Sequence, residues 1–198
     1  VAAMLGALGR VGRGRRVLSI GVDCTASTPL PSLADGTPLS VAFPDEPHAY
    51  VKLWKHHAAQ AQADRINAAG GAMLDRYGGR TSSEWSLAKP MQVAEESPAL
   101  WARTERWIEA GDWIVWQLVG RECRSECFAG YKAHFQPETG YPAGVVDGYV
   151  DRVSAVGSPV PIGRAAGDLG GCWHDRTGII GPTIVATAVI DAHAILPA

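Results

Sequence analysis

The stretch that most constrains the fold of this chain lies near its C-terminal end: Pro182-Thr183-Ile184-Val185-Ala186-Thr187-Ala188-Val189-Ile190-Asp191-Ala192-His193. An almost unbroken apolar, β-branched run of this length fits a strand buried on both faces, as in a parallel sheet. The first charged group to emerge at its carboxyl end is Asp191. Open α/β sheets bind ligands at the carboxyl ends of their strands, so Asp191 stands where a working carboxylate is expected. On this stretch alone a second reading stays open, in which Asp191 caps a following helix.

A buried parallel strand needs partner strands and covering helices. Val17 to Val22 predicts a short buried strand ending at Asp23, followed by the small, hydroxyl-rich Cys24-Thr25-Ala26-Ser27-Thr28. Small side chains let a ligand reach the backbone and hydroxyls can bond to it; a plain polar turn is the other reading. Leu30 to Leu39 predicts a hairpin turning at Asp35-Gly36. Val51 to Ala69 predicts a helix stopped by Gly70-Gly71, with Leu53, Trp54, His57, Ala58 and Ala61 on one face.

Thr81-Ser82-Ser83-Glu84 has the capping-box pattern and predicts a helix carrying Trp85, Leu87 and Ala88, which Pro90 kinks or ends. Ser97 followed by Pro98 predicts the start of the next helix. A further one follows Asp112, carries Trp113, Ile114, Trp116 and Leu118, and stops at Gly120. Between Glu138 and Gly171, Gly and Pro predict loops around one or two weak elements. Strands ending in acids and alternating with helices argue for an α/β fold with a partly parallel sheet.

The chemical signals are few. The sequence contains no P-loop, no GxGxxG and no GxSxG pattern. Lys132 stands alone in the apolar, glycine-hinged stretch Cys127 to Phe135. If buried, it needs an anionic or hydrogen-bonding partner; a lysine snorkelling to the surface fits the spacing equally well. The adjacent His56 and His57 would point about 100° apart on a helix and do not share a ligand, so no metal site is expected there. Cys123 and Cys127 have i, i+4 spacing without a second pair and are read as structural.

With a formal net charge of -2 over 198 residues, nothing attracts the chain to nucleic acid or an anionic membrane. No apolar stretch reaches the roughly 18 residues of a membrane helix. Four cysteines without paired spacing point to a reducing, cytoplasmic setting. The one basic cluster, Arg10 to Arg16, belongs to residues 1–16, read as a poorly ordered Gly/Arg-rich head.

Six blocks then stand out together: Val22-Asp23-Cys24-Thr25-Ala26-Ser27-Thr28-Pro29-Leu30-Pro31, Val51-Lys52-Leu53-Trp54-Lys55-His56-His57-Ala58-Ala59, Ser82-Ser83-Glu84-Trp85, Ala110-Gly111-Asp112-Trp113, Ala129-Gly130-Tyr131-Lys132-Ala133 and Val189-Ile190-Asp191-Ala192-His193. In this order they resemble the ribulokinase branch of the FGGY carbohydrate kinases. The resemblance implies an incomplete α/β domain of the ribonuclease H-like type shared by sugar kinases, actin and Hsp70. Residues 17–198 would be the later part of the family's first domain, with the ATP-binding C-terminal domain absent and little activity expected from the chain alone.

The implied activity is ATP-dependent phosphorylation of the 5-hydroxyl of L-ribulose, a ketopentose, in arabinose catabolism. By the same resemblance Asp191 is the general base, the backbone at Ala26 and the ammonium of Lys132 hold the ketose, and Trp54 lines the site. Mg²⁺ would come with ATP through its phosphates. The resemblance assigns no residue of this chain to nucleotide or metal. The alternative is a non-catalytic sugar-binding or interaction module derived from such a kinase.

Overall fold

In the computed structural model, which describes residues 2–154 and 157–195, helices alternate with strands of two to four residues. In chain order these are α1 (Ala2–Gly12), β1 (Ser19–Ile20), β2 (Asp23–Cys24), β3 (Pro29–Ser32), α2 (Leu39–Ala42), α3 (Gln60–Ala69), α4 (Ala88–Glu96) and α5 (Pro98–Arg103). There follow β4 (Arg106–Glu109), α6 (Ala110–Val119), α7 (Glu126–Lys132), α8 (Asp147–Val153), β5 (Ala165–Asp168), α9 (Gly171–Thr177), β6 (Ile184–Ala186), β7 (Val189–Ile190) and α10 (Asp191–Ala194). Among the described residues no helix is long and apolar enough to cross a membrane.

β6 lies between β1 and β5, parallel to the first and antiparallel to the second, while β2 pairs in parallel with β7. The single strand expected over Pro182 to Ile190 is therefore two. Ile20 faces Val185 but Cys24 faces Ile190, so the pairing slips by one residue between them and the ladder breaks there. Burial on both faces also fails. Val185 is enclosed against α6, whereas Ile184 is 48% exposed, because neighbouring strand residues point to opposite faces and a helix covers only one.

β3 pairs antiparallel with β4, in register Leu30 to Ile108. The carbonyls of Thr28 and Ser32 accept from the β4 side, so Pro29 and Pro31 turn their missing N–H groups away from the ladder. On that outer side the Lys52 N–H donates to Pro29 O at 2.8 Å. The turn at Asp35-Gly36 forms as expected, with the Thr37 N–H on Asp35 Oδ1 and Gly36 at φ +84°. Its second arm, however, becomes α2, and β3 finds its partner far along the chain.

Among the described residues two large apolar cores, and a smaller cluster of Leu30, Ile108 and Trp116 between β3, β4 and α6, hold these pieces. One core gathers Ile66, Leu87, Val93, Leu100 and Trp107 under α3, α4, α5 and α8. The other gathers Val115, Leu118, Phe128, Trp173, Val185 and Ile190 around the parallel strands. The head expected to be loose is helical over Ala2–Gly12 and joins the second core through Met4, Leu5 and Leu8. It docks at Gly12, where an added Cβ would lie 2.5 Å from Ile179, and the Gly14 N–H donates to Gly178 O.

Several helix boundaries differ from expectation: the helix predicted from the capping box Thr81-Ser82-Ser83-Glu84 begins only at Ala88, leaving Trp85 and Leu87 in the bend and turn before it, and α6 starts at Ala110, ahead of Asp112. Only Gln60–Ala69 of the predicted Val51–Ala69 helix forms, and residues 51–59 follow tertiary contacts instead. Pro90 causes no kink because it is the third residue of α4, within the first turn, where no intrahelical N–H bond is needed.

Candidate active site

The site begins with backbone pairing. β2 and β7 run side by side with Cys24 opposite Ile190, so Thr25 and Asp191 leave the sheet together at its carboxyl edge. Asp191 is exposed and opens α10; its Oδ1 accepts the Ala192 N–H at 2.8 Å. Ile190 occupies the cap position, so Asp191 is the first helical residue rather than the cap.

α7 packs beside β7 and delivers Tyr131 and Lys132. Lys132 is buried, and its Nζ donates to Ala26 O at 2.7 Å, the partner that a buried lysine requires. Burial draws its pKa down, opposed by the charges of Glu84, Glu109 and Asp191. An ammonium carries three donors and a carbonyl two lone pairs, so both groups keep capacity for a ligand. Trp54, 44% exposed, comes from the irregular segment before α3.

Together Thr25, Ala26, Trp54, Tyr131, Lys132 and Asp191 line an open cleft of about 250 Å³. The four residues singled out in the sequence, Asp191, Ala26, Lys132 and Trp54, thus come from four separate stretches to one place.

Beneath the cleft lies a buried polar chain that the sequence reading missed. Thr28 N–H donates to Glu109 Oε2 at 2.7 Å, and Ser86 Oγ donates to Glu109 Oε1 at 2.6 Å. Ser27 and Ser86 share a 2.6 Å hydrogen bond; Ser86 spends its proton on Glu109, so Ser27 is the donor. The signal was available: Glu109 is the lone charge in Trp107-Ile108-Glu109-Ala110-Gly111, as Lys132 is in its own segment. Tyr131 was likewise missed; its ring meets the edge of His193 at 4.9 Å, and His193 Nδ1 lies 3.1 Å from Cys127 Sγ.

His56 and His57 turn to different partners, Gln92 at 2.7 Å and Glu84 at 3.5 Å. Among the described residues no group of three or more His, Cys, Asp or Glu side chains could hold a metal ion. The cleft offers one carboxylate and one ammonium, the latter already on Ala26 O. That set suits a neutral, hydroxylated molecule; it does not form a cradle for a triphosphate or a divalent cation.

No protein-family model matches the chain. It is 46% identical over 189 residues to the ribulokinase of Mycolicibacterium smegmatis, covering 89% of this chain and 34% of that protein. It is 41% identical over 195 residues to the ribulokinase of Halalkalibacterium halodurans, covering 92% and 35%. The chain thus spans about a third of the length of these curated relatives.

Among solved structures, a carbohydrate kinase from Novosphingobium aromaticivorans superposes with a TM-score of 0.73 at 14% identity, over 98% of this chain and 40% of that one. A xylulose kinase from Rhodospirillum rubrum gives 0.68 at 16% identity, over 89% and 35%. In sequence the chain is similar to about one third of a ribulokinase, and in fold it is an α/β arrangement of the ribonuclease H-like type that these carbohydrate kinases share.

Proposed function

We propose that this chain forms the sugar-binding side of an ATP-dependent ribulokinase active site, with Asp191 as general base toward the 5-hydroxyl of L-ribulose. The observation that supports it is the convergence of Asp191, Lys132, Ala26 and Trp54 on one cleft at the carboxyl ends of adjacent parallel strands. In this reading Asp191 Oδ2 accepts the hydroxyl proton as the oxygen attacks the γ-phosphoryl group. The protons of Lys132 that Ala26 does not use donate to the ketose carbonyl or a hydroxyl. Ala26 O accepts a sugar hydroxyl on its second lone pair, and the indole of Trp54 covers the sugar's apolar side.

ATP accompanied by Mg²⁺ is the phosphoryl donor, and the setting is the cytoplasm, in arabinose breakdown. The test uses a chimaera in which this chain replaces the matching third of the M. smegmatis ribulokinase. Asp191→Asn is expected to lower kcat by about 10²- to 10⁴-fold while KM for L-ribulose stays within about threefold. Near-normal kcat would remove Asp191 as the base.

A second reading is a non-catalytic sugar-binding module, favoured by a cleft furnished for hydroxyls without a triphosphate cradle. It predicts heat on titrating L-ribulose into the chain but no turnover in the chimaera.

A further inference from the structure

We propose that Lys89 is a positioning residue for the sugar cleft: its buried ammonium holds the carbonyls of Ser27 and Leu53 at once, and so joins the loop bearing Ala26 to the segment bearing Trp54. The proposal rests on the reading of the cleft as a sugar site. Lys89 is the second residue of α4 and is completely enclosed, at 0% exposure. Its Nζ donates to Ser27 O at 2.6 Å and to Leu53 O at 3.0 Å. Ser27 follows Ala26 directly, and Leu53 directly precedes Trp54. One side chain therefore reaches both walls of the cleft through hydrogen bonds to the neighbours of Ala26 and Trp54 rather than to those residues themselves.

An ammonium is an unfavourable choice for an enclosed position unless its protons are used, and Met or Leu would fill the same space without that demand. Here the hydrogen bonds go to backbone rather than to a carboxylate. The charged groups that act on Lys89 are Glu109, Lys132, Glu84 and Lys52, and burial draws its pKa down to about 8. Backbone carbonyls are unchanged by side-chain substitution, so what this lysine secures is the path of the chain.

Few other bonds could do so. Among the described residues the two segments are joined directly by the Lys52 N–H on Pro29 O, 2.8 Å, at the far end of the loop. Leu53 O also accepts the His56 N–H at 3.0 Å, so the bond to Lys89 fixes the turn that carries Trp54 as well. Without the ammonium, Ser27 O would lose its bonded partner in an enclosed position and Leu53 O would keep only the His56 N–H, so the two segments would no longer be tied together at this point.

Amide hydrogen exchange on the 198-residue chain, with Lys89→Met and Lys89→Gln, tests this directly. The amides of Thr28, Lys52 and His56 are each bonded and report on the two segments. In Lys89→Met all three are expected to exchange at least about tenfold faster, with α6 unchanged, and Lys89→Gln, which keeps a donor, should lie between. Unchanged exchange at these amides overturns the proposal, as does acceleration in one segment alone. If Lys89→Met unfolds globally, the same comparison in Lys89→Gln decides.

Calorimetry with L-ribulose is the second arm. Lys89→Met should weaken binding at least about tenfold, and its effect should shrink when Trp54→Ala is already present, since both act through one wall. Effects that simply add overturn the positioning role even if exchange accelerates. Absence of heat with the unsubstituted chain rejects the sugar reading, and the exchange result then judges the Lys89 bridge by itself.

Discussion

The floor of the cleft is held by polar groups, and the strand layer that presents Asp191 by apolar ones. On the floor, Ser27, Ser86, Glu109 and Lys89 are all buried, and each is tied to a named partner at 2.6 to 2.7 Å. In the strand layer, Val185, Ala188 and Ile190 are buried by contact alone. Apolar packing is non-directional and tolerant of substitutions that conserve volume. A buried polar chain is directional, and losing one member strands the others. The cleft thus has a wall that can drift in sequence and a floor that cannot.

Substitutions should separate the two. Glu109→Ala leaves the Thr28 N–H and the Ser86 hydroxyl without an acceptor and removes the carboxylate that most favours the charge on Lys89. A loss of about 3–5 kcal/mol is expected in urea unfolding, with Glu109→Gln costing markedly less because it keeps one oxygen. If Glu109→Ala costs under about 1 kcal/mol, the floor is no more specific than the strands.

Acid should act on the polar side too. His134 is enclosed, its ring nitrogens facing Thr81 Oγ1 and Met73 O, and burial draws its pKa down to about 4. The unfolded chain takes up that proton near the ordinary histidine value of about 6.5. Its contribution is therefore complete above about 6.5 and lost as pH falls toward 4, by about 3 kcal/mol. Asp112, whose carboxyl is raised by burial, has the opposite sign in acid. Comparing the chain with His134→Asn cancels that part. Asn suits the left-handed backbone there, at φ +60°. Parallel pH curves for the two proteins would refute the assignment.

In the strand layer Val185→Ala should cost about 2 kcal/mol by lost burial, and Ile184→Thr, on the open face of the same strand, less than about 0.5 kcal/mol. Thermal unfolding of the pair measures the difference; equal effects would mean that both faces are covered.

Ala26 and Trp54 were singled out only through the resemblance of their sequence blocks, whereas Asp191 and Lys132 were legible as lone charges in apolar surroundings. Glu109 carries the same signal inside a block dominated by tryptophan and isoleucine, and Lys89 carries it beside Pro90, where a helix interruption was expected instead. The helix predicted from Val51 fails for a related reason. The spacing of Leu53, Trp54 and His57 is helical, but Lys52 N–H is taken by Pro29 O and Leu53 O by Lys89, so long-range bonds override local periodicity. Met4 and Leu8 have helical spacing in the head, yet Gly6 and Gly9 weaken it, and only docking on the second core reveals its worth. Some element types, such as the helix opening at Pro98, could be read from neighbours in sequence; pairings such as β3 with β4 could not, since nothing local encodes them.

The one-residue slip between Ile20–Val185 and Cys24–Ile190 makes the height of Asp191 a matter of arithmetic along the chain. Removing one residue from the connection between β6 and β7 would lower the carboxylate by one strand step, about 3.3 Å, and turn it to the opposite face. Thr187, whose hydroxyl donates to Pro161 O at 3.1 Å, and Ala188, buried in the second core, are held by their own contacts, but for the height of the acid it is their number that counts. In this molecule the spacing of a two-residue connection is as much a part of the candidate site as the acid it delivers.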